Sequence, residues 1–218
     1  FILFSDSPLW TAGLQEKADD ALRIHGQYLM ETDLPFHHLS NWGVLQNHGL
    51  LLLGLYFDNP EWTQEAAGRL DQEVYMQVFG DGSQWEQSPM YHCEVLYALM
   101  DSLLLMDRFH KPVPQRLRDF VRKMAFALAC WCKPDGHMPC QGDSDDIDAR
   151  DLLTGASLLC QDSSLKALSQ GIFFEDNLWS FGLSGLEAYK SLPSVPPKET
   201  SRVLTDSGNY FLRSGWHA

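Results

Sequence analysis

The chain has 218 residues, of which 44% are hydrophobic and 21% charged, enough to bury a full core as one large domain or a domain plus part of another. Its net charge of −13 excludes the basic field that a nucleic-acid binder needs to release counterions from phosphate. No apolar run approaches the roughly 20 residues of a membrane span. The longest, from Leu50 to Phe57, is short and interrupted by Gly54.

Five cysteines, an odd number without a framework spacing, predict reduced and mostly buried thiols. Phe1-Ile2-Leu3-Phe4 carries neither a Met nor a basic stretch, so no signal peptide is expected in this chain. That leaves cytoplasmic, periplasmic and secreted locations open for the parent protein. Seven Trp and twelve Phe are plentiful; they fill cores, and they also form flat platforms for sugar rings.

In chain order, apolar residues at helical spacing predict a first helix over 8–31, broken at Asp33-Leu34-Pro35. A second runs from about Trp42 to Phe57 and stops at Asp58-Asn59-Pro60. The third, Glu61 to Phe79, ends in the turn signal Gly80-Asp81-Gly82. The fourth runs from Ser88 to Phe109 with Pro89 in its first turn, and the fifth spans Gln115 to Cys132. Further helices are expected over 147–160, 163–171 and 176–191. Long helices joined by short loops, with no strands between them, predict antiparallel helical hairpins. Pro193, Pro196 and Pro197 mark a linker over 193–200. The β-favouring alternation that follows, over 201–218, reads as one strand, and a lone strand is not stable by itself.

Two polar clusters stand at helix starts. Ser40-Asn41-Trp42 precedes Asn47-His48-Gly49, and Asp81-Gly82-Ser83-Gln84-Trp85-Glu86 leads to Ser88-Pro89-Met90-Tyr91-His92. Asn41 and Ser40 each suit a helix N-cap as well as a ligand contact. Tyr91, in an apolar-rich helix, reads first as a core tyrosine with a bonded hydroxyl. His92 projects about 100° from Tyr91 around the helix, which favours structural duty. Glu86 suits electrostatic support of a helix N-terminus. His37 and His38 read as a solvated loop pair. The acidic run Asp143, Asp145, Asp146 and Asp148 lacks the Gly and terminal Glu of an EF-hand. It reads first as a solvated capping loop, with a structural divalent cation at Asp143, Asp145 and Asp148 as the weaker alternative. No other cofactor is expected.

In this order, Ser40-Asn41-Trp42, Phe79-Gly80-Asp81-Gly82, Glu86, Ser88-Pro89-Met90-Tyr91-His92, Met138-Pro139, Gly142-Asp143-Ser144 and Ser207-Gly208-Asn209-Tyr210 resemble the heparinase II/III-like polysaccharide lyases. The resemblance implies a mainly α fold: an incomplete α/α toroid of antiparallel helical hairpins over 1–192, followed by the start of a β-sandwich domain. It implies an enzyme that cleaves a uronic-acid polysaccharide by β-elimination. Asn41 would grip the uronate carboxylate and Tyr91 would transfer a proton. A further His would come from the β-sandwich domain of the same protein, beyond this chain, so the chain alone is expected to be inactive. Where the family often has His after the Asn, this sequence has Trp42. His48, within Asn47-His48-Gly49, is then the candidate imidazole, and either Asn41 or Asn47 the carboxylate ligand. Trp42, Asn47, Glu86 and His92 complete the expected substrate contacts. The expected partner is an anionic polysaccharide, with no nucleic acid and no membrane. Two other readings of the residues stand beside this one: a toroid glycoside hydrolase using paired carboxylates such as Glu86 and Asp143, and a non-catalytic sugar-binding or helical interaction module.

Overall fold

A computed structural model describes residues 5–216. Phe1–Phe4, on which the expectation of no signal peptide rests, and residues 217–218 of the expected β-unit lie outside the described residues. Among the described residues, eight α-helices follow one another: α1 (Ala12–Glu31), α2 (Asn41–Tyr56), α3 (Pro60–Gln77), α4 (Pro89–Arg108), α5 (Gln115–Trp131), α6 (Arg150–Cys160), α7 (Ser163–Leu168) and α8 (Glu175–Ser191). Local chemistry starts several of them. Thr11, Asn59, Ser88 and Asp162 each accept a backbone N–H from the first turn of the helix they precede, and Pro60 and Pro89 take first-turn positions where a missing N–H costs nothing.

The packing is two-layered. Helices α2, α4, α6 and α8 touch in succession, as do α1, α3, α5 and α7, while α2–α3, α4–α5 and α6–α7 pack as hairpins. Each hairpin reverses the chain, so alternate helices run in the same direction. The starts of α2, α4 and α6 therefore share one rim, together with the loops that lead into them. Leu50, Leu51, Leu70, Leu96, Leu99, Leu103, Leu117, Met124, Leu128 and Leu153 lie fully buried between and within the layers. Each contributes about 1.5–3 kcal/mol of burial. This is the mainly α, incomplete toroid of hairpins expected from the sequence.

Several details differ from expectation. The first helix begins at Ala12 rather than at residue 8, because Thr11 is extended and caps it. A 3-10 turn, His37–Leu39, fills the segment read as loop. Residues 147 and 148 are not helical: Ile147 O accepts from Met138 N–H and Asp148 bridges His137, so α6 starts at Arg150. Helix α8 bends at Gly182, whose φ is +66°. Where one strand was expected, two short strands, β1 (Arg202–Leu204) and β2 (Asn209–Phe211), pair antiparallel. Gly208, at φ +75°, turns the chain between them. A hairpin satisfies the backbone groups that a single strand would leave open.

The free cysteines follow the expectation in the main. Cys93, Cys130 and Cys132 are buried, Cys160 is half-buried and Cys140 is exposed. No helix among the described residues is long and apolar enough to cross a membrane.

Candidate functional site

Asn41 is the first helical residue of α2, and Ser40 before it is the extended N-cap residue, without a side-chain cap bond. The cap is supplied from elsewhere in the chain. Glu86 Oε2 accepts the Asn41 backbone N–H at 3.1 Å and the Asn41 Nδ2 amide at 3.2 Å. Glu86 thus supports a helix N-terminus, as one reading of the sequence had it, but that of α2 rather than of the helix it precedes. One carboxylate satisfies a helix-end donor and aims the asparagine side chain.

Glu86 is itself held by Gln84, whose Nε2 donates to Glu86 Oε2 at 2.7 Å and whose Oε1 accepts from Glu86 N–H at 2.9 Å. Gln84 is in turn anchored through its backbone N–H, which donates to His92 Nδ1 at 3.2 Å, while His92 Nε2 bonds Met124 O at 2.9 Å. Those partners assign the tautomer: Nε2 carries the proton. His92 is fully buried, and burial depresses its pKa to about 4, so it stays neutral. Its expected place among the substrate contacts is corrected here: both ring nitrogens are engaged in the core, and it braces the loop that carries Glu86.

Tyr91 faces the rim at the start of α4. Its hydroxyl donates to Asp143 Oδ2. The loop bearing Asp143 is fastened to the same helix start: Ser88 Oγ donates to Asp143 O at 2.8 Å, and Ser144 Oγ accepts Met90 N–H at 3.1 Å. The hydrogen bond to Asp143, then desolvation and the charges of Asp143 and Glu86, raise the Tyr91 pKa above its usual value. The phenol is therefore protonated and suited to donate. Glu86 stands two residues before Ser88, which caps the helix that bears Tyr91, so the Asn41 and Tyr91 clusters adjoin along one loop.

Around this site, Trp42 and Trp85 are both exposed, flanking Asn41 and Glu86 in sequence and offering apolar faces to solvent. Asn47 is buried in the body of α2, six residues past Asn41 and so about 9 Å along the axis. His48 does not join the cluster. Its Nε2 lies 2.8 Å from Asp101 Oδ2 on α4, two turns inward from Asn41, and its ring packs edge-on against Tyr97. His37 and His38 are not a solvated pair. His37 Nδ1 lies 2.9 Å from Gln46 Oε1 and its ring packs against Trp42, while His38 sits between Asp33 and Glu73. The acidic run does not converge on a cation. Asp143 is bound by Tyr91, Asp148 by Arg150 at 2.6 Å, and the described residues include no group of three or more His, Cys, Asp or Glu that could hold a metal.

Sequence reasoning missed four parts of this arrangement. Gln84, Trp85 and Asp101 carry no local signal beyond their proximity to residues already singled out. The second strand was missed too, and it matters to the site. Asp81 Oδ2 accepts the backbone N–H of Asp206 at 2.9 Å and of Ser207 at 2.8 Å, and Asn209 Nδ2 donates to Gln87 Oε1 at 2.8 Å. The β-hairpin is thereby latched to the loop that bears Glu86. At the other end of the hairpin, Arg213 donates to Ala129 O at 3.1 Å and Cys132 O at 2.7 Å, carbonyls at the end of α5.

The family model described as "Heparinase II/III N-terminus" matches residues 1–163. The chain belongs to the heparinase II/III family. A heparin-sulfate lyase of Pedobacter heparinus is 26% identical over 99% of this chain and 31% of its own length. A second heparin-sulfate lyase, from Bacteroides stercoris, is 29% identical over 54% of this chain and 19% of its own. Among solved structures, one described as a heparinase III gene product superposes with a TM-score of 0.75 at 22% identity, covering 100% of this chain and 32% of the other. The heparan sulfate lyase of Pedobacter heparinus does so with a TM-score of 0.68 at 24% identity, covering 99% and 32%. These structural likenesses establish the fold of a heparinase II/III member. The chain spans about a third of the length of the heparin-sulfate lyase from Pedobacter heparinus.

Proposed function

We propose that the parent protein is a polysaccharide lyase that cleaves a uronate-containing glycosaminoglycan by β-elimination, and that this chain supplies one half of its site. The observation that carries the reading is the meeting, at one rim, of an oriented amide and a protonated phenol: Asn41 aimed by Glu86, and Tyr91 held by Asp143. Family membership and the heparin-sulfate lyase relatives support the substrate class.

In such a reaction a base removes the proton at C5 of the uronate. The electron pair left behind forms the C4–C5 double bond as the bond from C4 to the bridging oxygen breaks, and that oxygen takes up a proton. The barrier lies in the poor acidity of a carbon beside a carboxylate. Asn41 Nδ2 lowers it by donating to the carboxylate as negative charge builds there, at a helix N-terminus whose dipole favours an anion. Tyr91, kept protonated by Asp143 and Glu86, delivers its proton to the leaving oxygen; a positioned proton donor of this kind contributes about 10²–10⁴-fold. The base is then the histidine that the family resemblance places in the β-sandwich domain, outside this chain, so residues 1–218 alone bind without turning over. Trp42 and Trp85 supply the apolar faces against which sugar rings stack.

The paired-carboxylate hydrolase gains no support, since Glu86 is engaged as acceptor for Asn41 and Gln84 and Asp143 as acceptor for Tyr91. Ultraviolet absorbance during digestion of uronate polymers by the full-length protein, heparan sulfate first, tests the proposal. Elimination leaves an absorbing conjugated uronate, and Tyr91→Phe is expected to abolish the rise while polymer binding persists. Cleavage without any absorbance would overturn it.

A further inference from the structure

Beneath the first turn of α2 lies a chain of titratable groups that the proposed chemistry does not use. His38, in the 3-10 turn, has both ring nitrogens against carboxylates: Nε2 is 2.9 Å from Asp33 Oδ1 and Nδ1 is 2.8 Å from Glu73 Oε1. Glu73 lies on α3 and is fully buried; its approach to His38 is an ion-pair contact, and neither His38 Nδ1 nor Glu73 Oε1 makes a hydrogen bond to any other group. Two lone-pair atoms at that separation, away from water, attract only if a proton lies between them. The buried His38–Glu73 contact therefore holds a proton, on the imidazole or on the carboxyl.

This trio carries the start of α2. Gln77 Nε2 donates to Glu73 Oε2, to Ser40 O at 2.8 Å and to His38 O at 3.1 Å, so the carboxyl group, the 3-10 turn and the N-cap residue of α2 meet on one amide. Gly43, in the first turn of α2, rests on the same carboxyl: a Cβ there would lie 2.3 Å from Glu73 Oε1. Asn41 is two residues before Gly43 and one after Ser40.

We infer that the Asp33–His38–Glu73 trio is a proton-sharing support for the first turn of α2, and that Glu73 is a positioning residue for Asn41. The link to catalysis rests on the reading of Asn41 given above; the proton-sharing itself does not. The charged groups that face the trio are these. From the segment before α2 come Asp33 and His38, and α3 adds Arg69, whose Nε is 3.6 Å from Asp33 Oδ2 and 2.9 Å from Glu65 Oε1. Helix α2 meets Glu73 with Gly43. Desolvation pushes Glu73 up to about 7, against the opposing pull of Gln77 and His38, with the charge of Asp33 adding to the rise. Near neutral pH Glu73 thus loses its proton, and the contact on which the turn carrying Asn41 rests changes from neutral to charged.

Amide resonances of the 218-residue chain, followed from pH 5 to pH 8.5, test this without any substrate. The backbone signals of Ser40, Asn41 and Gly43 are expected to move together with one midpoint near 7. In Glu73→Gln, which keeps the shape and cannot ionise, that shared midpoint is expected to be lost. Should that variant fail to fold, Asp33→Asn at the solvent end serves instead: removing its negative charge must shift the midpoint to lower pH. Flat signals in the unaltered chain, the same titration in Glu73→Gln, or an unmoved midpoint in Asp33→Asn would each overturn the inference. If the titration is seen yet the parent shows no lyase activity, the trio stands and the reading of Asn41 falls.

Discussion

Tyr91 and Asp143, 52 residues apart in the chain, share a hydrogen bond in which the phenol is donor and the carboxylate acceptor. The pairing exists because Ser88 and Ser144 fasten the 142–144 loop onto the start of α4. It decides the protonation of the tyrosine, since a neighbouring carboxylate disfavours the phenolate.

Asp143→Asn removes that charge, so the Tyr91 phenol ionises at lower pH. If Tyr91 acts as the proton donor, the alkaline limb of the parent's pH–rate profile moves to lower pH in Asp143→Asn. A limb that stays where it was would show that the rate does not depend on this phenol's proton.

Glu86→Ala strips α2 of its cap and Asn41 of its orienting partner. By analogy with helix-cap losses, thermal stability is expected to fall by about 1 kcal/mol. The parent's KM for polysaccharide is expected to rise as the amide swings free. Unchanged KM together with unchanged melting would show that Glu86 neither caps α2 nor aims Asn41.

His92→Gln probes the loop brace. At pH 7 the loss of two buried hydrogen bonds is expected to cost about 1–3 kcal/mol. Because burial lowers the folded-state pKa from 6.5 to about 4, the native histidine's contribution is full above the unfolded value and fades as pH falls through that window. The gap between native chain and variant, read from denaturant midpoints, should therefore narrow between pH 6.5 and pH 4. A gap constant with pH would mean that His92 is not held neutral.

Asp81→Ala unlatches the hairpin. Burial works to raise the Asp81 pKa, but hydrogen bonds from Ser83 and Ser207 outweigh it and hold the carboxyl below its ordinary range. The latch is thus intact above the ordinary aspartate pKa of 3.8 and weakens as pH drops below it. At neutral pH, the variant should show faster amide hydrogen exchange at Phe211 and through residues 83–87, with α6 and α7 unaffected. Uniform acceleration everywhere would point to global destabilisation instead.

Much of the helical frame was legible because its signals are local. Apolar spacing, Pro60 and Pro89 in first turns, and the turn at Gly80-Asp81-Gly82 act within a few residues, and most of the resulting helices lie close to their predicted ranges. The 3-10 turn and the second strand were missed because few residues define them. They form where distant side chains bond their backbone groups: Gln77 Nε2 donates to His38 O, and Asp81 Oδ2 accepts the Ser207 N–H.

By itself, the sequence determined the mainly helical class, most of the helix starts and the apolar faces, because periodicity and capping are short-range effects. Only the tertiary structure decided which of the polar residues share a site. Asn41 meets Glu86 and Tyr91 meets Asp143 because alternate helices of one layer begin at the same rim, while His92 turns into the core and His48 pairs with Asp101 two turns away. Adjacency in sequence sends neighbouring helical side chains about 100° apart, and a shared rim brings together residues some fifty positions distant.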